Sequence, residues 1–124
     1  MTALDDLKAK WDVQFRKGTL ELVVLSALQN RTLYGLELLN LLKAFETTQI
    51  TEGTLYPLLD RMKKDGLIDA KWVQEGDTRT RKYYALNAKG SKRLVAMSAR
   101  WRQSVADIEK LLNNPGPHTF IQGE

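Results

Sequence analysis

The chain has 124 residues, of which 43% are hydrophobic and 27% charged, which fits one globular domain and is too short for two. It contains no cysteine, which excludes disulfides, thiol catalysis and cysteine metal sites, and no apolar run long enough for a membrane span. Residues 61–93 hold ten basic and four acidic residues, a net charge of +6 in a chain of +4 overall. This concentration indicates a polyanionic partner, although a solvated basic surface would carry the same charge.

The N-terminal third predicts three helices. Apolar side chains at helical spacing predict an amphipathic helix over residues 3–16, ending near Gly18, and Thr19 can cap a second helix. Asp5 and Asp6 are unlike the start of a signal peptide, so we expect a cytoplasmic protein with no membrane partner. After the turn "QNRT", the stretch "YGLELLNLLKAF" predicts a third helix with Phe45 facing inward. A glycine in its first turn, Gly35, indicates close approach of the backbone to another group.

The stretch "ITEGTLYPLLDRMKKDGLI" predicts a fourth helix with one leucine-rich face. Thr51 or Thr54 is its cap, Pro57 is tolerated near its first turn, and Gly66 ends it. Gly53 and Pro57 on the other face are poor choices for a helix that only has to be stable. They indicate a surface that comes close to another molecule.

A β-hairpin and a long helix follow. "IDAKWV" alternates with Ile68, Ala70 and Trp72 inward, and "TRKYYAL" is the returning strand, with one tyrosine of the pair Tyr83 and Tyr84 packed inward. Asn87 caps a helix that runs to about residue 113. The predicted fold is mainly α with a small β-hairpin, in the order of a winged helix-turn-helix. The predicted divisions are an N-terminal helix (1–17), a winged helix-turn-helix domain (18–87), a C-terminal dimerisation helix (88–113) and a disordered tail (114–124).

An enzyme is not predicted. The histidine His118 lies in the predicted tail, no carboxylate pair is placed in a pocket, and no glycine-rich phosphate loop has the required spacing. We therefore predict no catalytic residue, no metal site and no cofactor.

DNA binding explains the residues that stability does not. A helix that enters the major groove needs an apolar anchoring face and a second face small enough to approach the bases. Thr51, Thr54 and Tyr56 offer hydroxyls there, whereas packing of the Tyr56 ring on the hairpin is the alternative. Lys63 and Lys64 face either phosphates or only solvent. In the hairpin, acidic Glu75 and Asp77 oppose a phosphate, which favours the returning strand with Arg79, Arg81 and Lys82 as the contact side.

The last helix carries a heptad pattern, with spacings of four and three residues through Leu94, Ser98, Trp101, Val105, Ile108 and Leu112. This apolar seam predicts a two-fold dimer, with folding back on the N-terminal helix as the alternative or an addition. Trp101, together with Trp11, could stack on an aromatic ligand, or both rings could be core residues.

The blocks "GTLELVVLSAL", "LYGLELL", "TEGTLYPLLDRMKKDGLI" and "RKYYALNAKG" resemble the PadR family of bacterial transcriptional regulators over residues 18–90. The resemblance implies a winged helix-turn-helix, dimerisation through the C-terminal helix, and repression relieved by a small molecule, with the single C-terminal helix typical of a smaller subgroup. It adds Tyr34 to the residues expected to face DNA. The full predicted DNA-binding set is Tyr34, Thr51, Gly53, Thr54, Tyr56, Lys64, Arg79, Arg81 and Lys82. We therefore expect a homodimeric repressor on a pseudo-palindromic operator, released by a small aromatic effector; the alternative is a winged-helix module that binds a protein.

Overall fold

The computed structural model describes residues 2–117; Met1 and residues 118–124, which include His118 and most of the predicted tail, lie outside them. The described chain forms helices α1 (Ala3–Ala27), α2 (Gly35–Lys43), α3 (Glu52–Lys64) and α4 (Ala88–Leu112) and strands β1 (Leu33–Tyr34), β2 (Ile68–Glu75) and β3 (Arg79–Leu86). The prediction of a mainly helical winged helix-turn-helix with a β-hairpin is confirmed. Along residues 2–117, no helix is both long and apolar enough to cross a membrane.

Helix α1 is continuous over its 25 residues, and the prediction of a break near Gly18 is wrong. Thr19 does not cap a second helix, because its Oγ1 donates a hydrogen bond of 2.9 Å to the Phe15 carbonyl one turn earlier. A glycine inside a helix costs about 1 kcal/mol relative to alanine, which is too little to stop a helix whose second half packs in the core. The N-terminal half of α1 leaves large apolar side chains exposed, among them Leu4, Leu7 and Trp11.

The hydrophobic core lies between the second half of α1, helices α2 and α3, and the sheet. It is formed by Val24, Leu25, Leu28, Leu38, Leu39, Leu42, Leu55, Leu58, Leu59, Met62, Leu67, Ile68, Tyr84 and Leu94, with smaller contributions from Ala27 and Ile50. The inward placement predicted for Phe45 is wrong: α2 ends at Lys43, and the Phe45 side chain is exposed in the turn beyond it.

The sheet has the order β1-β3-β2 and is antiparallel throughout. The two-residue strand β1 was not predicted; it pairs Leu33 with Tyr84 and Tyr34 with Tyr83. Tyr84 is the buried member of the tyrosine pair. We call the β2–β3 hairpin the wing. Its helix-side face carries Ala70, Trp72, Lys82 and Tyr84, and its outer face carries Lys71, Val73, Glu75, Arg81 and Tyr83. The inward prediction for Trp72 is wrong, since its side chain remains 65% exposed on the helix-side face.

Helix α4 begins against the end of α3. Gly66, with φ of +76°, closes α3: its N–H bonds to the Lys63 carbonyl, and the Leu67 N–H bonds to the Met62 carbonyl. The side chain of Asn87 then donates to the Gly66 carbonyl at 2.7 Å. We call this contact between the end of α3 and the start of α4 the α3–α4 joint.

Two further contacts complete the α3–α4 joint. The Lys89 ammonium donates to the Asp65 carbonyl at 2.7 Å. Gly90 packs so closely that a Cβ at this position would lie 2.0 Å from the Leu67 carbonyl oxygen. The carbonyls of Asp65 and Gly66, directly after α3, therefore accept hydrogen bonds from side chains at the start of α4, and only glycine fits the closest point of contact.

Candidate nucleic-acid interface

The exposed face of α3 begins at Gly53, which has no side chain. At 3.6 residues per turn, Gly53, Pro57, Asp60 and Lys64 follow one line along the helix, opposite the buried Leu55, Leu58, Leu59 and Met62. Gly53 is not required by packing within the chain, because the nearest atom to an added Cβ would be Thr51 Oγ1 at 3.8 Å. The first turn of α3 therefore presents bare backbone to its surroundings.

Hydroxyl groups surround this bare backbone. Thr51 precedes the first helical residue, and its Oγ1 donates to the hydroxyl of Thr54 at 3.2 Å, so the two side chains stand together at the exposed start of α3. Tyr56 packs against the start of α2: a Cβ at Gly35 would lie 2.3 Å from its hydroxyl oxygen and 2.6 Å from Cε1. The close approach expected at Gly35 is thus a contact between the two helices of the helix-turn-helix. Tyr56 is still 39% exposed.

A gap separates the C-terminal half of α3 from the wing. Asp60, Lys63 and Lys64 of α3 and Lys82 of β3 line a cavity of about 310 Å³. Three ammonium groups and one carboxylate give this gap a local charge of +2, which suits an anion. The structure thus brings Lys64 and Lys82, two members of the predicted set, to the same cavity.

Arg81 lies on the other side of the wing, in a cluster with Tyr34, Glu75 and Tyr83. Its guanidinium forms an ion pair of 2.6 Å with Glu75 and stacks 4.3 Å above the Tyr34 ring. The Tyr34 ring meets Tyr83 edge to face at 5.5 Å, and the Tyr83 hydroxyl donates a hydrogen bond to Glu75. One carboxylate therefore holds both Arg81 and Tyr83.

These partners shift the pKa of Glu75. The hydrogen bond from the Tyr83 hydroxyl, aided by the charge of Arg81, lowers the pKa of Glu75 below its ordinary value. The same hydrogen bond raises the pKa of the Tyr83 hydroxyl. Arg81 is therefore held in a fixed orientation by a negatively charged neighbour, a partner that the sequence did not reveal because Glu75 was interpreted only as a charge unfavourable to DNA.

The structure thus divides the predicted DNA-binding set into separate positions. Thr51, Gly53, Thr54 and Tyr56 share the start of α3, Lys64 and Lys82 share the gap, and Tyr34 joins Arg81 on the outer face of the wing. Arg79 is exposed at the tip of the wing, opposite Glu75. Sequence reasoning missed Asp60 on the exposed face of α3 and the exposed Trp72 beside Lys82.

A second surface lies along α1 and α4. The rings of Trp11 and Phe15 stack at 6.0 Å, and Phe15 meets Trp101 edge to face at 5.7 Å. Phe15, which sequence reasoning did not single out as a site residue, therefore links the two tryptophans. Beside it, an apolar groove of about 560 Å³ is lined by residues of α1, α2 and α4, including Trp101.

Helix α4 packs on α1 of the same chain and still leaves much of its seam uncovered. Arg93 of α4 forms an ion pair of 2.9 Å with Glu21 in the second half of α1. The edge-to-face contact of Trp101 with Phe15 is the predicted contact with the N-terminal helix. Leu94, which was predicted to lie in the dimer seam, belongs to the core of the single chain and is 7% exposed. The remaining predicted interface residues are exposed in the single chain, namely Trp101, Val105, Ile108 and Leu112.

Comparison with known proteins identifies relatives of this chain. A family model described as the PadR-like family of transcriptional regulators matches residues 24–96. The chain is similar to the crystal structure of a PadR family transcriptional regulator from Eggerthella lenta, with 33% identity, a TM-score of 0.80, and coverage of 91% of this chain and 98% of that one. A PadR-like transcriptional regulator from Bacillus cereus is 32% identical, with a TM-score of 0.74 and coverage of 82% and 99%. A relative from Lysinibacillus sphaericus, described as an uncharacterized protein, is 27% identical over 99 residues, or 78% of this chain and 87% of that protein.

Proposed function

This chain belongs to the PadR-like family of transcriptional regulators, which are not enzymes, and we propose that it is a homodimeric repressor that binds a pseudo-palindromic operator. The observation that carries the proposal is the exposed first turn of α3, where Gly53 serves no packing purpose within the chain and two threonine hydroxyls stand beside it. A regulator of this kind acts on the chromosome, so we place it in the cytoplasm.

We assign α3 to the major groove and the wing to the neighbouring backbone or minor groove. A helix that reads base edges must bring its backbone close to them, and a glycine in the first turn of its outward face permits this approach. The lysines in the gap between α3 and the wing supply charge for phosphates, which fix the position of the protein without reading sequence. Arg81, already oriented by Glu75 and Tyr34, provides a further phosphate contact.

The dimer is supported by the uncovered part of the α4 seam. Trp101, Val105 and Ile108 are at least 38% exposed, although they follow a heptad spacing that is typical of helix pairing. Exposed apolar residues continue along the N-terminal half of α1, which lies beside the same surface at Phe15 and Trp101. Pairing of two chains here would cover both stripes and present two α3 helices about one DNA turn apart.

The effector is proposed to be a small aromatic molecule bound near Trp101 and Trp11. The aromatic cluster of α1 and α4 borders an apolar groove of about 560 Å³, a size typical of small-molecule sites. Because the groove lies between α4 and the rest of the chain, a ligand there can favour one orientation of α4 over another.

The first test is fluorescence anisotropy of the purified protein on the duplex upstream of its own gene, against a scrambled duplex, at two salt concentrations. We expect salt-sensitive binding with a clear preference for the upstream duplex. Weak and equal binding to both duplexes would point to another operator or to an effector already bound. The absence of binding at low salt would contradict the proposal and favour the alternative of a winged-helix module that binds a protein.

Gly53→Ala tests the assignment of α3. The added methyl meets no close atom within the chain, so stability should be preserved, whereas it stands where DNA must approach. We expect about a tenfold loss of operator affinity, since an extra methyl in a tight contact costs about 1–3 kcal/mol. Arg81→Ala is the companion variant and should weaken operator and random duplex equally. Unchanged operator binding by Gly53→Ala would place the contact surface elsewhere.

Ile108→Glu tests the dimer. It places a charge in the exposed seam of α4 and should give monomers, whereas Ala96→Glu adds the same charge on the opposite, exposed side of the helix and should leave the dimer intact. Multi-angle light scattering measures the mass of each variant. A dimer that survives Ile108→Glu would contradict the seam.

A further inference from the structure

An exposed tryptophan stands on the helix-side face of the wing. Trp72 on β2 lies directly opposite Lys82 on β3, and 65% of its surface is exposed. The Lys82 ammonium is 5.8 Å from the centre of the Trp72 ring and 5.8 Å from that of the buried Tyr84. The indole therefore adjoins a cation and covers little of the core, so packing within the chain does not account for a ring of this size.

Trp72 lies beside the gap through which a DNA strand would pass. A helix in the major groove and a wing at the next minor groove are separated by one sugar–phosphate strand, which has to pass through the gap between them. In this protein that gap is lined by Lys63, Lys64, Lys82 and Asp60 and carries a net charge of +2. A phosphate near Lys82 would bring the adjoining deoxyribose to Trp72.

We propose that Trp72 is a DNA-contacting residue whose indole packs against the deoxyribose next to the phosphate bound by Lys82. The inference rests on the proposed function and adds to it an apolar contact that neither the sequence pattern nor the charge distribution indicates. The occupant is the sugar–phosphate backbone of duplex DNA, because the neighbouring lysines complement a polyanion. The contact strengthens binding to any duplex and does not read sequence.

The test compares four variants by anisotropy on the upstream and the scrambled duplex over a series of salt concentrations. Trp72→Ala should lower the affinity for both duplexes about tenfold, which corresponds to uncovering about 60 Å² of apolar surface. Trp72→Phe should retain most of the affinity. Val73→Ala, the matched control on the outer face of the same strand, should bind as the unmodified protein does.

The salt dependence separates an apolar contact from a charged one. Lys82→Gln should reduce the slope of log affinity against log salt by about 0.9, the value for one lost phosphate contact. Trp72→Ala should leave this slope unchanged. If Trp72→Ala proves unstable, tryptophan emission decides the question: DNA should change the emission of the unmodified protein and alter that of Trp72→Phe much less.

Three results would overturn the inference. Unchanged binding by Trp72→Ala, with weakened binding by Lys82→Gln, would refute the Trp72 contact and leave DNA binding in place. A slope lowered by the same 0.9 in Trp72→Ala would show that Trp72 acts only through Lys82. If the unmodified protein binds no duplex at low salt, the proposed function itself fails, and the inference fails with it.

Discussion

Replacing Gly90 by alanine is expected to destabilise the protein at the α3–α4 joint. The added Cβ would lie 2.0 Å from the carbonyl oxygen of Leu67, 3.0 Å from its carbonyl carbon and 3.2 Å from Cδ2 of Leu86. Two of these three atoms belong to the backbone, so no side-chain rotation can relieve the contact. The start of α4 has to move away from the end of α3 by about 1.5 Å to reach an ordinary van der Waals distance.

The cost has two sources. Inserting a methyl into a closely packed site costs about 1–3 kcal/mol. A displacement of this size also weakens the hydrogen bonds that Asn87 and Lys89 donate to the carbonyls of Gly66 and Asp65, and a typical bond of this kind contributes about 0.5–1.5 kcal/mol. We therefore expect the free energy of unfolding to fall by about 2–4 kcal/mol, with part of the strain relieved by movement of α4.

Urea unfolding followed by circular dichroism measures this change, and Gly18→Ala is the matched control. Gly18 lies inside α1, and among the described residues no atom outside the local helix backbone lies within 4 Å of a Cβ added there. Alanine is favoured over glycine in a helix by about 1 kcal/mol, so the same substitution should stabilise the protein at this position. Both variants should be measured at one protein concentration, since dimerisation would add to apparent stability.

The reasoning would be refuted if Gly90→Ala were as stable as the unmodified protein. In that case α4 would not begin in contact with Leu67, and α3 and α4 would not be joined in the way described. A destabilising Gly18→Ala would in turn contradict the continuous α1 helix.

Three further predictions concern the start of α2 and the outer face of the wing. Gly35→Ala should displace the Tyr56 ring and lower the free energy of unfolding. This loss should be smaller by about 0.5–3 kcal/mol when Tyr56 has already been replaced by alanine. Additive effects in a double-mutant cycle measured by urea unfolding would show that the two residues do not contact each other. Glu75→Gln should remove a carboxylate that competes with DNA phosphates for Arg81. We therefore expect a higher affinity for random duplex and a steeper dependence of that affinity on salt. Unchanged or weaker binding, measured by anisotropy, would show that Glu75 serves only to hold Arg81. The hydrogen bond from Tyr83 lowers the pKa of Glu75 in the folded protein, so this carboxylate stabilises the fold at pH values above its ordinary pKa of 4.5. The contribution is lost as the pH falls through the pKa of the folded state. Urea unfolding across this pH range should show a weaker acid dependence in Glu75→Gln, and an unchanged dependence would contradict the prediction.

Local patterns were sufficient to predict most elements of the fold. The leucines of α3 recur at helical spacing, Gly66 ends that helix in a left-handed conformation, and the two strands of the wing pair as predicted, although Trp72 is exposed. Element boundaries were less predictable where propensity and tertiary packing disagree. Gly18 is a weak helix former, but the packing of α1 carries the helix through it.

The predicted contact residues could not be grouped from the sequence, because their grouping depends on how the wing folds over α3. Adjacent Arg81 and Lys82 point to opposite faces of β3, so one reaches Glu75 and Tyr34 while the other reaches the lysines of α3. The two-residue strand β1 is too short to show a period of its own, yet it places Tyr34 next to Arg81. Tyr34 and Arg81 lie 47 residues apart along the chain, and Lys64 and Lys82 lie 18 apart, both beyond the range of a local pattern.

The α3–α4 joint has a mechanical consequence. A helix of 25 residues is about 37 Å long, and α4 is fixed at its first turn to the last turn of α3. In a dimer held at the middle of the far half of α4, about 28 Å from its start, a tilt of about 10° at the pairing surface would carry the α3 end through about 5 Å, close to one helical turn. The same tilt in both chains would change the distance between the two α3 helices by a large part of the width of the major groove. A small molecule beside Trp101 would then need to change only an angle to separate the protein from its operator.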